Sequence, residues 1–509
     1  MNRDRAGSPT GMTGCTLEQF ERGCAGRHRL HDVIAYWAAR KPEAVALLNP
    51  DTGRAVTWQE FDRAAGAMSR RLAAEGFRKG DFLAAQMPFS IEHVLLEYGC
   101  FRAGVIHAPL DQRLPAVEVE RAARAIGARA ILRAGDTDAM KAGTEAPCDE
   151  VNEHDGAQVI FTTGSTGSPK PALLSHRNIA CQNLCLGTAF GFSERGRVLV
   201  NLPPSHVGGQ AEALMTTLFF GGTAVLLETF DAARSLAAIA SARVTLIGQI
   251  PAMFHLEWRL SDFAAYDLSS LEFAIYGGQA VAPAFLERLA AMAPRCGTGL
   301  GLTECAGFCT YVTASGPLEG VGFDMPVYPL SIRGAMHEDG SAGEQLPEGE
   351  VGHICFRGPQ TFLGYVNDPE STRRTISSDG WLYTGDMGRR GPRGLEIAGR
   401  HKWVIKPAGY QVFPAEVESY LCAHEKVQAC GAVGVPHEVF SEAIVAFVER
   451  KPGVELDAAE LKRHARGMAS YMRPVRYVIL EPGGLPLNRA AKTDYLRLQE
   501  MAAKGGGSI

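Results

Sequence analysis

What is missing from these 509 residues narrows the field first. No stretch approaches the roughly 20 consecutive apolar residues that a bilayer-spanning helix needs, so no membrane span is expected. The opening residues 1–15 are polar and hold Gly, Pro and Ser where a secretory signal would carry an uninterrupted apolar core. Twelve cysteines are scattered without one C-x-x-C pair, and the nearest neighbours, Cys181/Cys185 and Cys305/Cys309, lack the spacing of a zinc site. Reduced, mostly buried thiols of a cytoplasmic protein are the expectation. Positive charge is not in excess either: the formal net charge of -5 gives no global field to hold DNA or RNA. Nucleic-acid partners are excluded on that ground, and any phosphate chemistry must rest on a local site. Internal repeats and long low-complexity tracts are also lacking.

What is present is the composition of an ordinary globular chain, 46% hydrophobic and 21% charged. Its length exceeds what one core serves, which calls for at least two domains. Phe61, Ala65, Met68 and Leu72 recur at helical spacing, and a strand-like run at 82–87 follows. A helix at 91–102, an apolar run at 105–110, a helix at 117–126 and a strand at 129–132 continue the alternation. It resumes with strand-like runs at 198–202, 223–227, 244–247 and 273–276. Strands alternating with helices predict doubly wound parallel sheets, here two of them. From 322 to 400 short apolar runs such as 351–356 are separated by glycine-rich turns, which predicts a β subdomain. Beyond 400, helices at 416–422 and 458–469 with strands at 427–435 and 443–448 predict a small α+β domain and a flexible tail from 504. The expected fold is therefore α/β: a large N-terminal domain, 1–400, of two doubly wound sheets plus a β subdomain, and a small mobile C-terminal domain, 401–509.

One loop carries chemistry on its face. After the apolar Val159-Ile160-Phe161, the segment 162–170 packs five hydroxyls (Thr162, Thr163, Ser165, Thr166, Ser168), two glycines and Lys170. Glycines admit backbone N–H groups to a polyphosphate, hydroxyls donate to its oxygens, and the lysine brings a mobile positive charge. It is not a Walker A loop, because Pro171 stands where Ser or Thr would bind the metal. Alone, such a loop is more often only a turn.

Its company is Gly301-Leu302-Thr303-Glu304, then Trp381-Leu382-Tyr383-Thr384-Gly385-Asp386, then Gly399-Arg400-His401-Lys402 through Gly409, and a late Pro486-Leu487-Asn488 leading to Lys492. In that order, over roughly residues 30 to 497, these motifs resemble the adenylate-forming superfamily of acyl- and aryl-CoA synthetases, firefly luciferase and peptide-synthetase adenylation domains. The resemblance implies that 162–170, with Thr162, Thr163, Ser165, Thr166 and Lys170, handles ATP phosphates. It implies that Thr303 contacts the α-phosphate, that Glu304 holds Mg²⁺, and that Gly277, Gly278 and Gln279 line the adenine. Asp386 would accept both ribose hydroxyls, and Arg400 would reach the ribose or the phosphates. Lys492 would bridge the acid's carboxylate and the α-phosphate as charge develops. The small domain would rotate about a hinge at Lys402, exchanging Lys492 for the Gly409 side.

The implied reaction is attack of a small carboxylic acid on ATP to give an acyl-adenylate and pyrophosphate, followed by transfer to CoA. The alternative acceptor is a carrier protein or an amine, including activation of an unusual small acid such as nitrous acid; a nucleotide-binding homologue without turnover is disfavoured by the intact Lys170, Glu304, Asp386 and Lys492. The acid pocket would be lined by segments matching 206–210, 249–254 and 299–308, with His206 gating the acid or touching its carboxylate. Three departures mark a divergent member: Leu300 where an adenine-stacking aromatic is usual, Trp403 where an acidic residue follows the hinge, and Pro171 where Gly follows the loop lysine.

Overall fold

A computed structural model describes residues 16–144, 150–162, 169–279, 281–316, 318–487 and 493–504. They fall into two units, Met1–Leu330 with Phe356–Leu382, and Ser331–Cys355 with Tyr383–Ile509.

The first unit is built on two sheets. In one, the order is Gly364–Tyr365, Pro171–Ser175, Gly156–Phe161, Ile106–Pro109, Phe82–Gln86, Ala130–Arg133, the last four strands parallel and the first two antiparallel additions. The other runs Phe323–Asp324, Thr310–Ala314, Arg295–Thr298, Phe273–Tyr276, Leu246–Gln249, Arg197–Val200, Thr223–Leu226, Val45–Leu48, Ala55–Thr57. Its middle is parallel, and both ends are closed by antiparallel strands. Doubly wound sheets are as the alternation predicts, with one exchange of material. The early strand Val45–Leu48 joins the second sheet rather than the first, pairing with Thr223–Leu226.

Local chemistry explains where the elements begin and end. Helix Trp58–Ala74 starts at a capping box, in which Thr57 accepts from Glu60 N–H and the Glu60 carboxylate accepts from Thr57 N–H at 2.8 Å. Helices Ile91–Ala103 and Ala116–Ile126 end on Gly104 and Gly127, both left-handed, where a Cβ would be strained. Helix His176–Phe190 is buried on nearly every side, which befits a helix inside a layered core. Beside it lies Gly208–Met215, a π-helix, and Asn183 Nδ2 donates to Ala211 O at 2.6 Å and Thr216 Oγ1 at 2.9 Å to hold the two together. A further polar cluster sits in the core of this unit: Glu97 Oε1 accepts from Gln158 Nε2 at 2.7 Å and meets His107 Nδ1 at 3.1 Å, all three fully buried.

The second unit holds, but for the end residues Leu330, Phe356 and Leu382, a four-stranded sheet in the order Leu330–Arg333, Gly352–Phe356, Leu382–Gly391, Gly394–Arg400. This is the expected β subdomain, and the boundary expected at residue 400 falls inside this unit, at the end of its last strand. The rest is a hairpin, Val427–His437 with Ser441–Arg450, to which Arg476–Leu480 adds in parallel. Helix Ala458–His464 stops earlier than the pattern predicts, passing into a 3₁₀ turn over Ala465–Gly467. Glu418, on helix Pro414–Cys422, accepts from Ala432 N–H at 2.8 Å and from Tyr495 O–H at 2.9 Å, tying that helix to the hairpin and to helix Tyr495–Lys504.

Candidate active site

The hydroxyl-rich loop is slung between two antiparallel strands in register Phe161↔Pro171. Thr162 N–H donates to Lys170 O at 2.9 Å, and Thr162 Oγ1 accepts from Lys170 N–H at 3.4 Å. Those two residues therefore close the neck of the loop, while Thr163, Ser165 and Thr166 lie outside the described residues. Pro171 costs the sheet nothing here. It opens its strand, where no ladder N–H is required, and its carbonyl accepts from Val366 N–H at 2.9 Å.

Lys170 Nζ donates to Ser371 Oγ at 2.8 Å and stands 5.1 Å from the centre of the Tyr365 ring. Tyr365 in turn donates its hydroxyl to Glu304 Oε1 at 2.6 Å. Burial, and then the Glu304 carboxylate, push the Tyr365 phenol up, so it stays protonated and keeps donating. One ring thus links a cation and an anion that the sequence holds far apart. Neither Tyr365 nor Ser371 stood out in the sequence; an isolated Gly-Tyr pair and a serine near a short helix give no signal until the strand Gly364–Tyr365 docks on Pro171–Ser175.

Thr303 and Glu304 sit in a 3₁₀ turn, Thr303–Cys305, pinched at its base by Gly301↔Phe308 and Leu302↔Gly307 pairing. Gln360, fully buried, clamps the far side: its Nε2 donates to Cys305 O at 2.8 Å and Phe308 O at 2.6 Å. Leu300 precedes the turn, half-buried, its N–H donating to Thr310 Oγ1 at 2.8 Å. Gly277 lies against the same turn, since a Cβ on it would come within 3.0 Å of the Phe308 ring. Gly278 takes φ +93°, and Gln279 beside it is exposed. His206 is also exposed, and its Nδ1 accepts from Gly208 N–H at 3.0 Å. Of the expected acid-pocket segment 249–254, Gln249 turns its amide into the core, donating to the buried Glu257 at 2.8 Å.

In the second unit Asp386 and Arg400 face one another across neighbouring strands, Arg400 Nε donating to Asp386 Oδ1 at 2.8 Å. The carboxylate is buried and the guanidinium, which also donates to Thr384 O at 3.4 Å, is about half exposed, so the pair presents a buried acceptor beside a partly exposed cation. Two residues on, burial and then Arg400 lower Lys402 to about 8, and its ammonium lies 4.2 Å from the centre of the Trp403 ring. Trp403 stacks on Tyr495 at 5.2 Å, which gives the departure from the usual acidic residue a packing role. Gly409 has φ +84°, as a turn glycine should. Lys492 lies outside the described residues.

Comparison with known proteins bears on this geometry. Residues 34–366 match the family described as AMP-binding enzyme, and residues 416–492 match the AMP-binding enzyme C-terminal domain. The chain is similar to a feruloyl-CoA synthase from an Amycolatopsis species, 31% identical over 479 residues that cover 87% of this chain and 94% of that one. It is similar to a sulfoacetate–CoA ligase from Cupriavidus necator, 27% identical with 92% and 96% covered. Among solved structures it resembles ATP-bound MatB from Rhodopseudomonas palustris, with a TM-score of 0.81, 25% identity, and 93% and 99% covered.

Proposed function

This chain belongs to the AMP-binding enzyme family, and from that premise we propose that it is an ATP-dependent acid:CoA ligase: it activates a carboxylic acid as an acyl-adenylate and passes the acyl group to CoA. The observation that carries the reading is the junction of Lys170 and Glu304 on Tyr365. A polyphosphate needs cationic and N–H donors on one side and a counter-ion held on the other, and this group of residues supplies both kinds of anchor. The names of the similar proteins, a feruloyl-CoA synthase and a sulfoacetate–CoA ligase, support CoA as the acceptor.

Each residue then has a task. Lys170, now resting on Ser371, swings its ammonium to the phosphates, helped by the loop hydroxyls of Thr162, Thr163, Ser165 and Thr166. Thr303 donates to the α-phosphate as its charge shifts in the pentavalent transition state. Glu304 fits Mg²⁺: it is a hard oxygen donor whose Oε1 is fixed by Tyr365 and whose Oε2 has no partner among the described residues. The ion, when bound, neutralises phosphate charge. Gly277 to Gln279, with Leu300, border the base. Asp386 accepts from the ribose hydroxyls, with Arg400 displaced from its oxygen or sharing it. Lys492 brings its charge to the carboxylate as its oxygen attacks the α-phosphorus and pyrophosphate leaves.

ATP–pyrophosphate exchange across a panel of acids, nitrite included, tests the first half, and product analysis with CoA, carrier protein and amines tests the second. Exchange followed by thioester and AMP on adding CoA is expected. No exchange with any acid, in a protein that binds ATP, would overturn the activation; adenylate that turns over only with a carrier protein or an amine would overturn the CoA step.

A further inference from the structure

Helix Ile91–Ala103 and the strand that follows it, Ile106–Pro109, turn three ligand-type side chains onto one another in the core of the first unit. His93 and Glu97 stand at i and i+4, so both project from one face of the helix. The strand supplies His107. All three are fully buried, and one ligand atom from each lies within 4.8 Å of the other two. The two imidazole rings are 5.1 Å apart between centres and nearly perpendicular, at 85°.

This group holds more polar atoms than it pairs. Neither ring nitrogen of His93 has a hydrogen-bond partner among the described residues, and the same is true of His107 Nε2, Glu97 Oε2 and Gln158 Oε1. Buried polar atoms in native cores are nearly always satisfied, so five orphans on four adjoining side chains point to something that meets them. Glu97 Oε1 already takes a hydrogen from Gln158 Nε2 at 2.7 Å, yet it also lies 3.1 Å from His107 Nδ1. Two atoms so placed share either a hydrogen or a cation. Around a tetrahedral ion with bonds of about 2.0–2.1 Å, neighbouring ligand atoms sit about 3.3–3.4 Å apart and imidazole centres about 5 Å apart, close to the separations here. Gln158 then holds the carboxylate in orientation from outside the ligand set. The carbonyls of Met87 and Pro88 flank the His93 ring and suit the N–H of whichever nitrogen does not ligate.

The donor set names the class of ion. Imidazole nitrogens bind first-row transition cations, whereas magnesium and calcium take shells of oxygen. We propose that His93, Glu97 and His107 bind a divalent first-row transition cation, zinc being the redox-inert case, which fastens helix Ile91–Ala103 to the sheet beside it. Gln158 lies on strand Gly156–Phe161, which runs directly into the loop 162–170. The ion therefore braces the frame of that loop and takes no part in its chemistry; it shares no ligand with Glu304.

The test uses the full chain, its affinity tag removed, produced in zinc-supplemented, cobalt-supplemented and metal-depleted medium and gel-filtered before elemental analysis. Zinc-loaded protein should carry about one ion per chain, and cobalt-loaded protein should show the visible absorption of a four-coordinate site with nitrogen ligands. The unfolding midpoint of zinc-loaded protein should lie roughly 2 °C or more above that of depleted protein. His107→Gln and the near-isosteric Glu97→Gln should lose the ion, the cobalt absorption and the difference in midpoint, while Glu304→Gln keeps all three. In depleted protein burial governs these groups, raising Glu97 and lowering both histidines, so the pH dependence of stability is read on that form. Parent protein with no more zinc than its buffer and with equal midpoints overturns the site, as does metal retained undiminished by both Glu97→Gln and His107→Gln. Should these variants fail to fold, the metal content and cobalt absorption of the parent carry the test.

Discussion

Tyr365 shows how much a single side chain can decide. Its hydroxyl is the one side-chain partner of the Glu304 carboxylate among the described residues, and its ring centre lies 5.1 Å from Lys170 Nζ. Tyr365→Phe keeps the ring and deletes the hydrogen bond. A bond from a neutral donor to a charged acceptor is worth about 1.5–3 kcal/mol, so the unfolding midpoint should drop, and exchange activity should fall by roughly 10- to 100-fold with a raised Mg²⁺ requirement. A variant indistinguishable from the parent in a Mg²⁺ titration would remove Tyr365 from the site. Lys492→Ala should behave differently: ATP binding persists, measured by calorimetry, while adenylation drops about 10²- to 10³-fold. Pyrophosphate exchange equal to the parent's would rule that role out.

At the scale of elements, turns and helices are held by a few buried polar contacts whose loss is costly. The turn 301–308 hangs on Gln360, which satisfies two carbonyls at once. Gln360→Ala leaves both without their donor at about 1–3 kcal/mol each, and should lower the unfolding midpoint of the first unit along with activity. In the second unit Glu418 depends on Tyr495 in the same way, and Tyr495→Phe strips one donor from a buried carboxyl. The expected cost is about 1–3 kcal/mol, read by denaturant unfolding; a loss below about 0.5 kcal/mol would mean that Ala432 N–H alone suffices. Elements of this kind were partly legible. Thr57-x-x-Glu60 and the terminal glycines are local signals, and the helices they bound lie where periodicity places them. The π-helix was not, because one extra residue per turn leaves no mark on a glycine-rich segment of mixed polarity.

Over the whole molecule, buried titratable groups set how stability responds to pH. Burial raises Glu97 and Glu212 to about 8 and Glu257 and Glu418 to about 7. Their stabilising contribution is full below the unfolded value of 4.5 and is lost as pH climbs through the folded values. Burial also lowers His93 and His353 to about 4 and His107 to about 3. That contribution is full above 6.5 and is lost as pH falls through the folded values. Between 4.5 and 6.5 the two sets oppose one another; above 6.5 only the carboxyl loss continues, and below 4.5 only the histidine loss. The unfolding midpoint should therefore be nearly level across the middle range, fall from about 6.5 toward 8, and fall again in acid. Glu418→Gln should flatten the alkaline limb, and a midpoint that rises between 6.5 and 8 would contradict the assignment.

The sequence by itself determined the class of the molecule: the alternation of strand and helix, the β segment before residue 400, the small α+β unit after it, and the ordered motifs that led to the family. Those are properties of residues near one another in the chain, where period and turn chemistry act directly. Only the tertiary structure decided which side chains meet. Lys170 reaches Ser371 across 201 residues and Tyr365 reaches Glu304 across 61. Glu212 finds its place because Gly307, on another element, has no Cβ. Such contacts depend on sheet order and register, which are set by the burial of whole faces rather than by any residue's neighbours.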